Sequence, residues 1–400
     1  MTAPVSAPPL PVGAIAITAL GMTTSGGLDV ASACASARAG ATHWTQLDVE
    51  EPDLDTLESV PLKGHAVRGL TDGFEGIGRL LRLGDAALSD LMTSAKLEPA
   101  HHARTGFHLC LPGHFHATWL LQLELLGQGP APMDVARAEF ARHFEEQRQW
   151  RDKLETSLVP SLLSMQDVSI PPALRSCFHG GPAIFAQAVE QAIQRLRLRE
   201  LDRCIVGGID TCVHGDALTT LHTLGLLRTE EQPSGFFPGE ASAFVLLERA
   251  DALRARSAPA EATVTAVATR PAAHDRAADK PEHGVALSAA VEACLGDPRR
   301  KPNLVVVNLN GDEFRAREFG MALVRMREAG LPAELRYWYP PEPFGELGAA
   351  TGAVSACLAV RAFTRSYAES DQALILLMGD DAARGALLLD DIPTQSRSTR

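Results

Sequence analysis

The chain has 400 residues, of which 46% are apolar and 22% charged, with a formal net charge of −12. Such a composition suits a globular protein with one or two sizeable cores and carries no signature of a disordered body. The acidic balance argues against nucleic acid and anionic membrane as partners and says nothing about fold.

The opening MTAPVSAPPLPVG has neither the basic nor the apolar region of a signal peptide, and residues 1–12 read as a flexible end. Short apolar strands then alternate with amphipathic helices. Expected in chain order are a strand at 14–20, a helix at 28–39, a strand at 106–111, helices at 134–156 and 182–198, and strands at 203–207, 242–248 and 262–269. A helix at 285–295, a strand at 304–309, helices at 315–329 and 348–364, and strands at 373–378 and 385–389 complete the pattern, before a tail at 393–400 that reads as flexible. The helix from Pro182 shows why: Phe185, Val189, Ile193 and Leu196 recur at steps of four and three, while Glu190, Gln194 and Arg197 face elsewhere. Alternation of this kind argues for an α/β architecture. No apolar run approaches the ~20 residues that span a bilayer, so no membrane association is expected and the cytoplasm is the expected location.

The seven cysteines, at positions 34, 110, 177, 204, 212, 294 and 357, are odd in number and scattered, which suits reduced thiols. The run HLCLPGHFH offers His108, Cys110, His114 and His116, yet no second cluster of ligand spacing accompanies it, so no metal is expected. Gly207, Gly208 and the GFFPGE stretch contain no nucleotide fingerprint, and no cofactor is expected. In segment 112–165, Phe140, Phe144, Trp150 and Leu154 form a stripe expected to pack an amphipathic helix onto its own core.

Three stretches carry more information together than apart: AIAITALGMTTSGG from Ala14, CIVGGIDTCVHGDALTTLHTLGLL with GFFPGEASAFVLLERADAL, and GELGAATGAVSACLAV from Gly345. In these the chain resembles the β-ketoacyl synthases of the thiolase superfamily, over roughly residues 14–40, 180–255 and 304–390. The resemblance implies an α/β, five-layered αβαβα thiolase fold with two pseudo-symmetric halves. It places an N-terminal half at 1–256, with a cap insertion at about 112–165, and a C-terminal half at 257–392, the seam falling in 257–281. No internal repeat is visible in the sequence itself. In the family, GFFPGE-like segments lock the halves together, so Gly235, Gly239 and Glu240 are expected to be structural.

The family's nucleophilic cysteine, counted back without gaps from Gly207 and Gly208, falls on Pro182. Its two catalytic histidines fall on Asn310, before Gly311, and Glu346, after Gly345; its lysine falls on Pro341. A condensing enzyme holds its acyl chain on a thiolate at a helix N-terminus, and the amide of the same residue helps form the oxyanion hole. Proline supplies neither a nucleophile nor an N–H, and one lost oxyanion donor alone costs about 2.7–4 kcal/mol of transition-state stabilisation. It nevertheless fits the first turn of a helix, and Gly180 and Gly181 permit the bend before it.

The resemblance therefore implies a catalytically degenerate ketoacyl-synthase-like protein, not an enzyme, that binds or scaffolds a partner protein or an acyl group. An accessory role in a bacterial secretion-effector or acyl-synthesis cluster, and a homodimer, go with that reading. Arg195, Arg197, Arg199 and Arg203 form either a dock for an acidic acyl carrier protein or a solvated helix end. The alternative is an active acyltransferase or β-ketoacyl synthase working on acyl thioesters, with Cys177 as nucleophile and His179 beside it. Five extended residues span up to ~17 Å, so the loop would have to fold back, unless a five-residue gap brings Cys177 into register.

Overall fold

The computed structural model describes residues 10, 11, 13–52, 58–127, 133–278, 280 and 282–392. The two expected flexible ends lie outside these residues, except for Leu10 and Pro11. The chain opens with β1 (Ile15–Thr24), α1 (Val30–Arg38), the ribbon β2 (Thr45–Pro52) and β3 (Ser59–Gly64), and α2 (Gly76–Ala95). Next come α3 (Pro99–His102), β4 (Thr105–Pro112), α4 (Phe115–Gly127), α5 (Met133–Lys153), α6 (Val159–Met165), β5 (Arg175–Gly180), α7 (Ile184–Arg197) and β6 (Arg203–Thr211). The elements α8 (Gly215–Thr223), β7 (Glu240–Arg249) and α9 (Ala250–Ala255) precede a second run: β8 (Ala262–Pro271), α10 (Val285–Leu295), β9 (Leu304–Val307), α11 (Glu313–Glu328) and β10 (Arg336–Trp338). That run ends with α12 (Pro341–Phe344), α13 (Thr351–Thr364), β11 (Gln372–Met378) and β12 (Ala383–Asp391).

The ten main strands lie in the order β10-β9-β11-β12-β8-β1-β7-β6-β4-β5. Read outward from β1 or from β8, each side gives the first, last, fourth, second and third strand of its run, with two antiparallel pairings followed by two parallel ones. The pseudo-twofold invisible in the sequence is thus plain in the topology. The halves meet through the short pairing of Ala16 with Thr263 and Ile17 with Ala262.

Strand parity builds the layers. Cys204, Val206, Val245, Leu304, Val306 and Ile375 point inward and share one core with α7 and α13. Their alternates point outward: Ile205, Phe244 and Phe107 toward α2 and α6, and Val305, Val307 and Leu374 toward α10 and α11. Strands covered on both faces read as continuous apolar runs, which is why they were legible. The result is the expected five-layered αβαβα stack. At its centre α7 and α13 approach so closely that a Cβ on Gly352 would lie 2.5 Å from the Phe185 Cβ.

The sequence reading missed α2, β5 and α4. In α2 the inward stripe Leu80, Leu83, Ala87, Leu88 and Leu91 is fully regular, but Gly84 interrupts the pattern because a Cβ there would meet Ile209 Cδ1 at 2.5 Å. The 112–165 segment also departs from expectation. Leu154 is buried and Trp150 packs on the outer core, but Phe140 stacks on Phe144, which stays 54% exposed. Only Gln147 of α5 is buried, and no residue of α4 is. These helices touch the body through Trp119, packed against the α8 cluster, and Trp150, and otherwise leave their faces half-buried or exposed. Among the described residues no helix is long and apolar enough to cross a membrane.

Candidate functional site

The elbow forms where β5 ends at Gly180 and the chain turns through Gly181, Pro182 and Ala183 into α7. Pro182 is buried, Ala183 already has helical torsions (φ −73), and the Ile184 amide donates to the Gly181 carbonyl at 3.1 Å. The Gly181 amide donates to the Asp381 carboxylate at 3.2 Å. A helix N-terminus of this kind attracts negative charge, and here an acid from the opposite half occupies the turn.

The positions expected for the two histidines do come together. Asn310 Nδ2 donates to Glu346 Oε2 at 2.7 Å, and Arg315 Nη1 donates to the same oxygen at 2.5 Å. Arg315 Nε also reaches Asp380 Oδ1 at 3.4 Å, while His116 Nε2 lies 2.8 Å from Asp380 Oδ2. Arg276 grips Asp312 with both terminal nitrogens at 2.6 and 2.8 Å. Glu346, Arg315, Asp312 and Asp380 are all buried, a placement tolerated only because each charge faces an opposite one. Burial alone would raise the Asp380 carboxyl, but Arg315, His116 and Arg276 hold it far below the ordinary range. Burial works against the Arg315 charge, yet Glu346, Asp380 and Asp312 outweigh it and raise its pKa. Asp210 has no cation of its own: burial pushes it up to about 7, although the Ala349 amide at 2.8 Å and the Thr211 amide at 2.7 Å oppose the rise.

Pro341, at the expected lysine position, is buried in α12 and brings no charge to this cluster. Sequence reasoning named His116 only as part of the HLCLPGHFH run, and missed Arg315, Asp380, Arg276 and Asp210. The available signal was polar residues just past the C-terminal ends of parallel strands, where α/β sheets gather their sites: His114 and His116 after β4, Asp210 at the end of β6, Asn308 and Asn310 after β9, Asp380 after β11.

Cys177 lies elsewhere. On β5, paired with Leu109 of β4, it packs against the outer core of α2 and α6, whereas Phe178 faces the inner layer with α7. Burial pushes its thiol up to about 12, with Glu155 adding to the rise. His179 sits on the same face as Cys177, with Nδ1 3.4 Å from the Pro112 carbonyl oxygen and Nε2 3.4 Å from Glu155. The fold-back that would carry this thiol to the helix tip does not occur.

The basic cluster that runs from the end of α7 to the start of β6 is largely committed. Arg195 pairs with Glu200, Arg199 with Asp251, and buried Arg203 with Glu248 at 2.8 Å, so of the four only exposed Arg197 has no ion-pair partner among the described residues. Glu240 is a hub: its carboxylate accepts from the Val67 amide, Thr71, Thr211 and Arg79, the last at 2.6 and 3.0 Å. Gly239 beside it leaves no room for a side chain, since a Cβ would lie 2.1 Å from the Phe344 carbonyl. Two open cavities, of about 540 and 410 Å³, flank the β2–β3 ribbon, lined by residues such as Ser25, His43 and Trp44 in one and Lys63, Arg228 and Phe237 in the other. Among the described residues, no group of three or more His, Cys, Asp or Glu is arranged to hold a metal ion.

Residues 186–252 match the family model described as beta-ketoacyl synthase, N-terminal domain. The AntDE:AntF complex, a type II PKS acyl-carrier protein with its ketosynthase bound to the hexaketide, superposes with a TM-score of 0.71 at 14% identity, over 95% of this chain and 99% of that one. The chain is β-ketoacyl synthase-like and has the thiolase fold. The oxazolomycin ketosynthase domain OzmH KS7 of Streptomyces albus JA3453 gives a TM-score of 0.69 at 15% identity, over 96% of this chain and 76% of that one. The ishigamide ketosynthase/chain length factor gives 0.68 at 16%, over 95% and 99%. No curated protein matches this ketosynthase-like chain.

Proposed function

We propose that this ketosynthase-like protein does not condense acyl groups and serves as a binding or scaffold subunit for a partner protein or an acyl group. One observation carries the reading: the positions of both expected imidazoles are occupied by Asn310 and Glu346, which are hydrogen-bonded to each other and tied to Arg315. A carboxylate neutralised by a buried guanidinium cannot act as the neutral base or donor that a thioester carbonyl needs. Pro182, at the N-terminal turn of α7, adds neither thiol nor amide hydrogen. The alternative thiol that the sequence offered, Cys177, faces the other layer and is strongly held as the neutral form.

The subunit reading extends to a division into halves at 1–256 and 257–392 and to pairing with a second ketosynthase-like chain, either a copy of itself or a condensing partner. It is supported by the apolar residues left on α4 and α5, including Leu123, Leu126, Met133 and Phe144, all 45% exposed or more. The relative whose title pairs a ketosynthase with a chain length factor offers a precedent for two such chains together. With three of its four arginines paired, the α7 cluster supports a solvated helix end better than a carrier dock.

The test is intact-mass analysis after incubation with an acyl thioester and with a cysteine-directed inhibitor of condensing enzymes. No stoichiometric acyl adduct is expected. An adduct that disappears in Cys177→Ser would establish the acyltransferase reading instead.

A further inference from the structure

Three histidines from three elements converge at the root of the α4–α5 pair. His114 immediately precedes α4, His143 lies on α5, and His179 is near the end of β5. Their charged neighbours come from every side. Arg151 of α5 faces both His114 and His179, Glu155 of the π-helical turn Leu154–Leu158 faces His179, and Arg142 and Glu146 of α5 flank His143. His114 also feels His179 and His143 directly. On the α4 side His116 turns away to its partner Asp380.

The hydrogen bonds favour neutral rings. His114 Nε2 is buried with no partner. His143 Nε2 accepts from Gln147 and lies 3.1 Å from Thr118 Oγ1, so a proton there would set donor against donor. Burial lowers the affinity of all three for a proton, His114 to a pKa of about 4, with Arg151 as a second cause for that ring.

The pair is held at few points: Trp119 of α4 packs against α8, Trp150 of α5 against the outer core, and of their residues only Gln147 is fully buried, so the root carries a real share of the attachment of α5. We propose that the junction of His114, His143 and His179 around Arg151 is an acid-sensitive latch, releasing α5 from the end of β5 when the imidazoles take up protons. Glu155 opposes release by attracting a charged His179, but it is 51% exposed and therefore screened, whereas Arg151 and the other imidazoles add positive charge within the same small space. The 2.8 Å contact between His116 and Asp380 pins the start of α4 while α5 moves about the π turn. Release uncovers the side of α4 around Thr118, to which His143 and Gln147 of α5 are bonded, next to the apolar residues already outside. The latch is thus a way to expose an apolar partner surface on acidification, and it stands whether or not the chain is catalytic.

At pH 5, His114 alone shifts the closed-to-open ratio by about tenfold after allowance for its partial exposure. The experiment is hydrogen exchange on the full chain at pH 7.5 and 5.5, corrected for the intrinsic rate, read beside emission from Trp119 and Trp150 of α4 and α5. Amides of 115–127 and 133–153 should lose protection at the lower pH by tenfold or more while β6 and β11 keep theirs. The variant with His114, His143 and His179 all changed to Asn should lose the pH response. Should that variant not fold, Arg151→Gln must move the transition to lower pH, because it removes the fixed positive charge. Equal protection of the helices at both pH values in the wild type, or an Arg151→Gln midpoint that stays put or rises, would overturn the latch.

Discussion

Arg315→Met is the most informative single change. Its guanidinium is buried between Glu346 at 2.5 Å and Asp380 at 3.4 Å, with their side chains 3%, 6% and 2% exposed, respectively. Methionine fills most of the volume but leaves Glu346 without a cation in a site that water barely reaches, while Asp380 keeps His116 and Arg276. Breaking a buried pair from one side costs about 3–5 kcal/mol, more than either hydrogen bond contributes, because the abandoned charge is uncompensated. Equilibrium urea denaturation should show a lower midpoint at unchanged slope. The loss should shrink as pH falls, since protonation neutralises the stranded acid, and Arg315→Met combined with Glu346→Gln should recover part of it with a coupling of about 0.5–3 kcal/mol. A loss under about 1 kcal/mol, or one that is the same at pH 5 and pH 8, would refute the picture of a charge-locked centre.

Pro182→Cys places a thiol at the helix tip but brings no imidazole with it, so thiol labelling should appear with no acyl condensation; thioester turnover by this single variant would contradict the proposed role of Asn310 and Glu346. His65 and His108 are buried 98% or more, and burial holds both near a pKa of about 4. Their folded-state values lie below the unfolded ~6.5, so the stability they supply is complete above pH 6.5 and lost between 6.5 and 4, at about 3 kcal/mol for His108. Denaturation midpoints measured across that window should fall, less steeply in His108→Phe, and a flat profile would exclude it. Asp210, raised to about 7, acts the other way, its share being present at low pH and lost as pH climbs from about 4 to 7. Glu240→Ala strands Arg79, whose side chain is 7% exposed, and should cost about 3–5 kcal/mol, with exchange rising first at the start of α2. An unchanged melting temperature would show that the hub is redundant.

The sequence on its own determined the layers. Strands buried on both faces must be apolar throughout, and helices such as α7 must carry a stripe at 3.6-residue spacing, so β1, β4, β6, β11 and α7 were readable without coordinates. Pro182, Asn310 and Glu346 could be singled out because they stand in frames of glycine that local backbone geometry fixes. Only the tertiary structure decided what those residues touch. Glu346 is 31 residues from Arg315 and Asp380 is 264 from His116, and no local pattern relates charges so far apart in the chain. Sheet topology brings the ends of β4, β6, β9 and β11 to one place, and burial there turns scattered polar residues into a mutually neutralising set. The orientation of Cys177 had the same origin: a strand exposes alternate residues to opposite layers, and only the pairing with β4 settled which layer the thiol faces.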